Sequence, residues 1–308
     1  MTDATMTEPT TEPTTIEPTT TEPITRTLDT LGATITYDIR PNERGARPFL
    51  MLIGSPMGAS GFPTLAGHFI DRTVITYDPR GVDRSKKADD LSESTPQQHA
   101  DDIHRVIEAV GGGPVDLFAT SGGAVNALAL VAAHPEDVRV LVAHEPPLAG
   151  LLPDCASALA ASRDIHDTYM RRGFGPAMAK FIKIVSFVGP ITPEYHREPD
   201  PDPAMFGLPT EDDGSRNDPL LGQNMVSSTH YEPDLPALRR ASTRIVIAVG
   251  AKSEGQFAHR GGIAIAERLG LTPVAFPGGH DGFMGGEMGS MGEPDAFQAK
   301  LREAFATP

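Results

Sequence analysis

A serine set between small residues, where a strand gives way to a helix, is the clearest chemical feature of this chain. In 116–123 (DLFATSGG) an apolar run stops and Ser121 stands with Ala119 and Gly123 two positions to either side. A helix of small apolar residues begins at once. On so tight a strand-to-helix turn, a nucleophile elbow, the hydroxyl projects from the sheet edge, and larger neighbours would collide with the adjoining backbone. The N–H of Gly122, at the helix start, points toward a developing oxyanion. The pattern is A-x-S-x-G, with Ala119 small enough to stand for the first glycine of G-x-S-x-G. The competing reading is a glycine-rich turn in which Ser121 only caps the helix. A serine hydroxyl also needs a base within hydrogen-bond reach. Of the ten histidines, only His280 lies just beyond the final predicted strand, after the Gly278–Gly279 pair. Its imidazole, titrating near pH ~6.5, can take the serine proton and return it to a leaving group. His144 and His230 are read as structural or substrate-facing.

The elements that must position these residues alternate. Strands are predicted over 27–30, 34–39, 48–53, 74–77, 115–119, 138–143, 244–249 and 273–276. Helices are predicted over 96–110, 122–133, 156–172, 176–187, 256–269 and 294–305. The run PFLMLI at 48–53 is continuously apolar, as a strand buried on both faces should be. Strands alternating with helices imply an α/β fold with a mostly parallel, eight-stranded sheet and helices on both faces. The rhythm breaks between 148 and 240, which is read as a helical cap inserted over the strand ends, where open α/β sheets bind ligands. The organisation is then a Thr/Glu/Pro-rich tail over 1–25, an α/β core from 26–147 and 241–308, and the cap over 148–240. Cap side chains such as Ile165, Tyr169, Phe181 and Ile182 are expected mainly to pack together, with an apolar face toward Ser121. The Pro- and Asp-rich stretch 189–218 reads as a flexible, solvated loop.

Four segments, in order, resemble the α/β-hydrolase superfamily. Residues 54–57 (GSPM) are similar to the loop after the third strand that supplies the second oxyanion N–H, expected here from Ser55 beside that of Gly122. Residues 78–85 (DPRGVDRS) resemble a D-x-R-G-x-G-x-S loop, with Asp83 in place of a glycine and with Asp78 and Arg80 as loop-fixing residues. Residues 119–123 are the elbow, and 276–280 (FPGGH) resemble the segment that delivers a catalytic histidine. Ile53 stands where many members carry histidine. The resemblance implies a third group, a carboxylate that orients His280. It usually follows the next-to-last strand, where Ser253 stands at the expected position and Glu254 one residue later. Other members place it one strand earlier, where Glu145 precedes Pro146–Pro147. Glu145 is preferred and Glu254 is the alternative; Asp281 is expected to point away on an extended segment.

A serine rather than an aspartate in the elbow implies an acyl-enzyme route. The default is hydrolysis of a carboxyl ester of a small or medium organic acyl compound. Perhydrolysis and carbon–carbon hydrolysis use the same triad, and some members of the fold bind ligands without turnover. No metal or organic cofactor is expected: the chain has no H-E-x-x-H, no clustered cysteines and no G-x-x-x-x-G-K-[ST]. The net charge of −15 argues against nucleic acid or an anionic membrane as partner. The expected partner is a small-molecule substrate, with homo-oligomerisation left open. There is no apolar run of about 18 residues to cross a membrane. Cys155 is the single cysteine, so no internal disulfide forms. The N-terminal stretch has neither the basic start nor the apolar centre of a secretion signal, and it buries too little apolar surface to order itself. A cytoplasmic location is the resulting expectation.

Overall fold

Strand and helix alternate through residues 22–42, 45 and 47–307, which the computed structural model describes. β1 (Ile24–Thr30) and β2 (Ala33–Arg40) form a hairpin that turns at Leu31–Gly32, where Gly32 has φ 74°. β1 begins at Ile24, within the expected 1–25 tail; residues 1–21 lie outside the described residues. β3 (Leu50–Ile53) and β4 (Val74–Tyr77) are buried at every position. β5 (Lys86–Lys87) is a two-residue strand on β2, too short for a sequence pattern, and it brings the expected eight strands to nine. β6 (Val115–Thr120), β7 (Val138–His144), β8 (Arg244–Gly250) and β9 (Val274–Phe276) complete the sheet. The strand order is β1-β2-β4-β3-β6-β7-β8-β9; β2 pairs antiparallel with β1, β4 and β5, and every pairing from β4 to β9 is parallel.

Continuous apolar strands are required because both faces are covered, and successive side chains point to opposite faces. Met51, Ile53, Leu117, Ala119, Leu141 and Ala143 enter one core. Their alternates Leu50, Leu52, Phe118, Val140 and Val142 enter the other. Of the helices, α1 (Pro63–Gly67) supplies Leu65 to the second core, while α2 (Pro96–Val110) and α3 (Gly122–Ala133) supply Ile103, Val106 and Leu128 to the first. α2 starts at a capping box: Thr95 Oγ1 accepts from Gln98 N at 3.2 Å, and Gln98 Oε1 accepts from Thr95 N at 2.9 Å.

Between β7 and β8 the chain forms α4 (Cys155–Arg172), α5 (Phe174–Ser186), α6 (Pro193–Arg197), a π-helical turn (Pro219–Asn224), α7 (Met225–Thr229) and α8 (Leu235–Arg240). Ile165, Tyr169, Ala177, Ile184, Leu221 and Met225 make a third apolar cluster there. The stretch 189–218 holds α6 and a 3-10 turn (Pro203–Phe206) and is tied down by Lys183–Glu198 at 2.9 Å and Lys180–Asp200 at 3.1 Å. Leu238 of α8 packs instead in the first sheet core. The chain then returns through α9 (Phe257–Leu269) and ends in α10 (Pro294–Ala306), whose Phe297 and Leu301 fill the second core. No helix among the described residues is long and apolar enough to cross a membrane.

The loop after β4 holds its neighbours through buried charge. Asp78 Oδ1 accepts from Ala59 N at 2.9 Å, and Asp78 Oδ2 accepts from Arg84 Nε at 2.6 Å. Arg80 donates two 2.8 Å bonds to Asp102, which has no exposed surface. Truncating one partner of such a pair strands a desolvated charge. Asp102→Ala is expected to lower unfolding stability by about 3–5 kcal/mol, read from the urea midpoint.

Candidate active site

Parallel pairing aligns the C-terminal ends of the central strands. Ile53 is level with Ala119, Thr120 with His144, His144 with Ala248, and Gly250 with Phe276. The residues just beyond these ends therefore gather along one edge: Gly54 and Ser55 after β3, Ser121 after β6, Glu145 after β7, Ser253 after β8 and His280 after β9. All but Ser253 line a single cavity of about 840 Å³.

Ser121 has φ 55° and ψ −130°, a conformation side chains avoid, and its N–H donates to His144 O at 2.9 Å. Its hydroxyl makes no capping bond to α3, so the reading of Ser121 as a simple helix cap fails. A Cβ at residue 122 would fall 2.5 Å from Ser55 O, and one at residue 123 would fall 2.8 Å from the Gly54 backbone. Only glycine lets the elbow lie against the loop after β3. That contact puts the peptide N–H groups of Ser55 and Gly122 on adjoining pieces of backbone. The N–H of Gly122, in the first helical turn, has no carbonyl within its own helix to bond.

Glu145 sits at φ 50°, also left-handed, and has no exposed surface. Its N–H donates to Ala248 O at 3.0 Å. Oε1 accepts from Gly250 N at 2.8 Å and from the Ser253 hydroxyl, while Oε2 lies 2.6 Å from His280 Nδ1. Burial alone would raise this carboxyl. The bond from His280, the nearby imidazoles and the Ser253 hydroxyl outweigh it and hold the group at about 2. Because an ionised carboxylate only accepts, Nδ1 of His280 is the donor in this contact, which leaves Nε2 as the ring nitrogen not engaged by Glu145. The imidazole side chain is 41% exposed and lines the cavity with Ser121.

Glu254 is exposed and lies outside the cavity lining. Ser253, one residue earlier, is buried and donates to Glu145 rather than to His280; sequence reasoning did not find this role, since only the fold shows which carboxylate it faces. Asp281, expected to turn away on an extended segment, lines the cavity. The segment turns back instead: Gly278 takes φ 80° and Gly282 N donates to Gly279 O at 3.1 Å. His230 bonds Thr229 Oγ1 at 3.1 Å and is not among the lining residues. His144 is fully buried beneath the site, with Nδ1 3.1 Å from Thr120 Oγ1 and its ring 6.0 Å from that of His280. Among the described residues, His104, His134 and Asp137 could offer three metal ligands, at the end of α3 opposite Ser121. The two imidazoles stack 3.8 Å apart and 10° from parallel, so their in-plane lone pairs do not converge on one ion.

A model of the alpha/beta hydrolase fold matches residues 48–166. The uncharacterized hydrolase YraK of Bacillus subtilis (strain 168) is 30% identical over 273 residues, spanning 83% of this chain and 89% of that protein. Among solved structures, the enol-lactonase from Burkholderia xenovorans LB400 has a TM-score of 0.61 at 16% identity, covering 92% of this chain and 100% of that one. A thermophilic esterase from Thermogutta terrifontis has a TM-score of 0.62 at 17% identity, covering 92% and 98%. At these identities the structural likeness carries the fold.

Burial lowers His99 and His144 to about 4, so both are neutral in the folded protein near pH 7. Unfolded histidine takes up its proton near pH ~6.5, so between there and about 4 the unfolded chain holds more protons and stability falls on acidification. The Glu145 contribution is present above its unfolded value and is lost as pH falls toward about 2. His144→Gln is expected to remove about one proton, ~1.4 kcal/mol per pH unit, from the slope of unfolding free energy between pH ~6 and ~4.5, measured by urea titration.

Proposed function

Because the chain belongs to the α/β-hydrolase family, we propose that it is a serine hydrolase that cleaves a carboxyl ester of an organic acyl compound through an acyl-enzyme on Ser121. The observation that carries this reading is the 2.6 Å contact between His280 Nδ1 and a fully buried Glu145. It orients the imidazole and stabilises the imidazolium that forms when Nε2 takes a proton.

In the first half-reaction His280 Nε2 accepts the Ser121 proton as Oγ bonds to the carbonyl carbon. The oxyanion lies between the N–H groups of Ser55 and Gly122, and loss of one such donor typically costs about 10²–10³ in rate. Collapse expels the alkoxide, which leaves as the alcohol with the proton held by His280. Water then attacks the acyl-enzyme with His280 as base, and the released acid frees Ser121. The steps use side chains, two backbone donors and water. Residues 148–240 act as the cap, with α4, α5 and α7 contributing walls to the cavity.

A site that only bound a ligand would have no need of left-handed backbone at both Ser121 and Glu145, each a conformation costing about 1–3 kcal/mol. Nor would it need a buried carboxylate committed to a histidine. A fluorophosphonate probe is expected to label the wild-type chain and to leave Ser121→Ala unlabelled, with His280→Ala labelled at least about 10³-fold more slowly. On a p-nitrophenyl ester, Glu145→Gln is expected to lower kcat by about 10³–10⁴ with little change in KM, and Glu254→Gln to stay within about twofold of wild type. A well-folded wild-type chain that takes no label at Ser121 would overturn the hydrolase reading in favour of a ligand-binding protein.

A further inference from the structure

Five of the chain's eleven methionines line the catalytic cavity: Met57, Met225, Met284, Met288 and Met291. They come from the loop after β3, from α7 and from the glycine-rich segment after His280, and so converge only in the fold. Methionine is unbranched and polarisable and adapts its shape to apolar partners. Phe181, Ile182 and Val185 of α5 also line this cavity.

Several polar side chains of the wall are already bonded within the protein. Ser162, Ser186 and Thr229 donate their hydroxyls to the carbonyls four residues back, at 3.2, 2.6 and 2.7 Å. Asn224 is held at both ends, Oδ1 lying 2.7 Å from His99 Nε2 and Nδ2 donating to Pro219 O at 2.7 Å. Lys252, the lysine of the lining, is paired with Glu293 at 2.7 Å, and Asp281 adds a further carboxylate. The lysine of the lining thus already faces a carboxylate, and no arginine among the described residues lines the cavity.

The apolar character continues outward. Met288 and Met291 are 67% and 76% exposed. Val188, 64% exposed, pairs through its backbone with Gln256, itself a lining residue. Exposed apolar side chains contiguous with a catalytic cavity mark a place where part of a ligand is seated. A volume of about 840 Å³ also lies toward the large end of sites that enclose whole organic molecules.

We infer that the substrate is an uncharged ester with a long apolar acyl chain, seated along the methionine wall and reaching the exposed Met288 and Met291. This rests on the serine-hydrolase reading and adds to it a substrate class: acyl chains of about eight carbons or more, in preference to acetyl groups, dicarboxylates and polyanionic thioesters.

The test uses the full chain with p-nitrophenyl acetate, octanoate and hemisuccinate, together with ethyl and octyl fluorophosphonates whose labelling rate at Ser121 reads chain preference without turnover. Because each fully buried methylene is worth roughly fourfold and about three or four of the added ones suffice, kcat/KM for octanoate is expected to exceed that for acetate by about 10², with the anionic hemisuccinate below acetate. The octyl probe should label correspondingly faster than the ethyl one. In Met288→Ser/Met291→Ser, changed at two exposed positions, the octanoate-to-acetate ratio is expected to fall about tenfold. Ser121 labelling that is independent of chain length, a preference for hemisuccinate, or an unchanged ratio in the double variant would each overturn this inference and leave the hydrolase reading standing. If no probe labels Ser121, the hydrolase reading fails and this inference falls with it.

Discussion

Glu145 is a carboxylate with no exposed surface, held in its ionised form by its donors, and the arrangement of the sheet edge depends on how its charge is satisfied. Desolvating such a group costs several kcal/mol unless each oxygen finds donors. The donors come from three places: Gly250 at the end of β8, Ser253 in the loop that follows, and His280 beyond β9. All three are in reach only if β7, β8 and β9 keep their observed register, since a one-residue slip would turn every side chain to the other face. Satisfying one buried charge thus couples the alignment of three strands to the orientation of one imidazole.

The second constraint is steric. The loop after β3 and the elbow after β6 approach until backbone meets backbone, with Gly122 and Gly123 as the points of contact. That loop is held from its other side by Asp78, which bonds Ala59 N and Arg84, while Arg84 in turn bonds Asp38 of β2. Strain at Ser121 and Glu145 persists because packing on all sides leaves no relaxed alternative. Buried aromatic rings pack around His144, with Phe283 and Phe297 edge-to-face and Phe118 tilted against it.

Ser121, Glu145 and His280 lie on the sheet edge. Methionine, valine, isoleucine and phenylalanine side chains from the helices and from the segment after His280 form much of the facing wall, interspersed with Ser162, Asn224, Thr229 and Asp281. His144 stays neutral next to His280, so a second positive charge does not oppose formation of an imidazolium. A low-polarity surrounding strengthens the hydrogen bonds that act on developing charge.

The amino-acid sequence by itself determined the alternation of strands and helices, because runs such as LMLI, uniformly apolar, and VITY, interrupted only by Thr76, fit strands covered on both faces. It determined the elbow too, since Ala119, Ser121, Gly122 and Gly123 are neighbours in the chain and their steric demands are local. It did not disclose β5, whose two lysines carry no pattern, or the turn that brings Asp281 to the cavity. The partner of His280 lies 135 residues away; spacing left Glu145 and Glu254 both open, and only parallel pairing of β7 with β8, together with a left-handed residue at 145, aims one carboxylate at the imidazole and leaves the other in solvent. The same holds for Ser253 and for the methionine wall, drawn from 57, 225 and 284–291. Contacts within a turn are written in adjacent residues, whereas contacts between strand ends depend on register and handedness, which exist only once the sheet has formed.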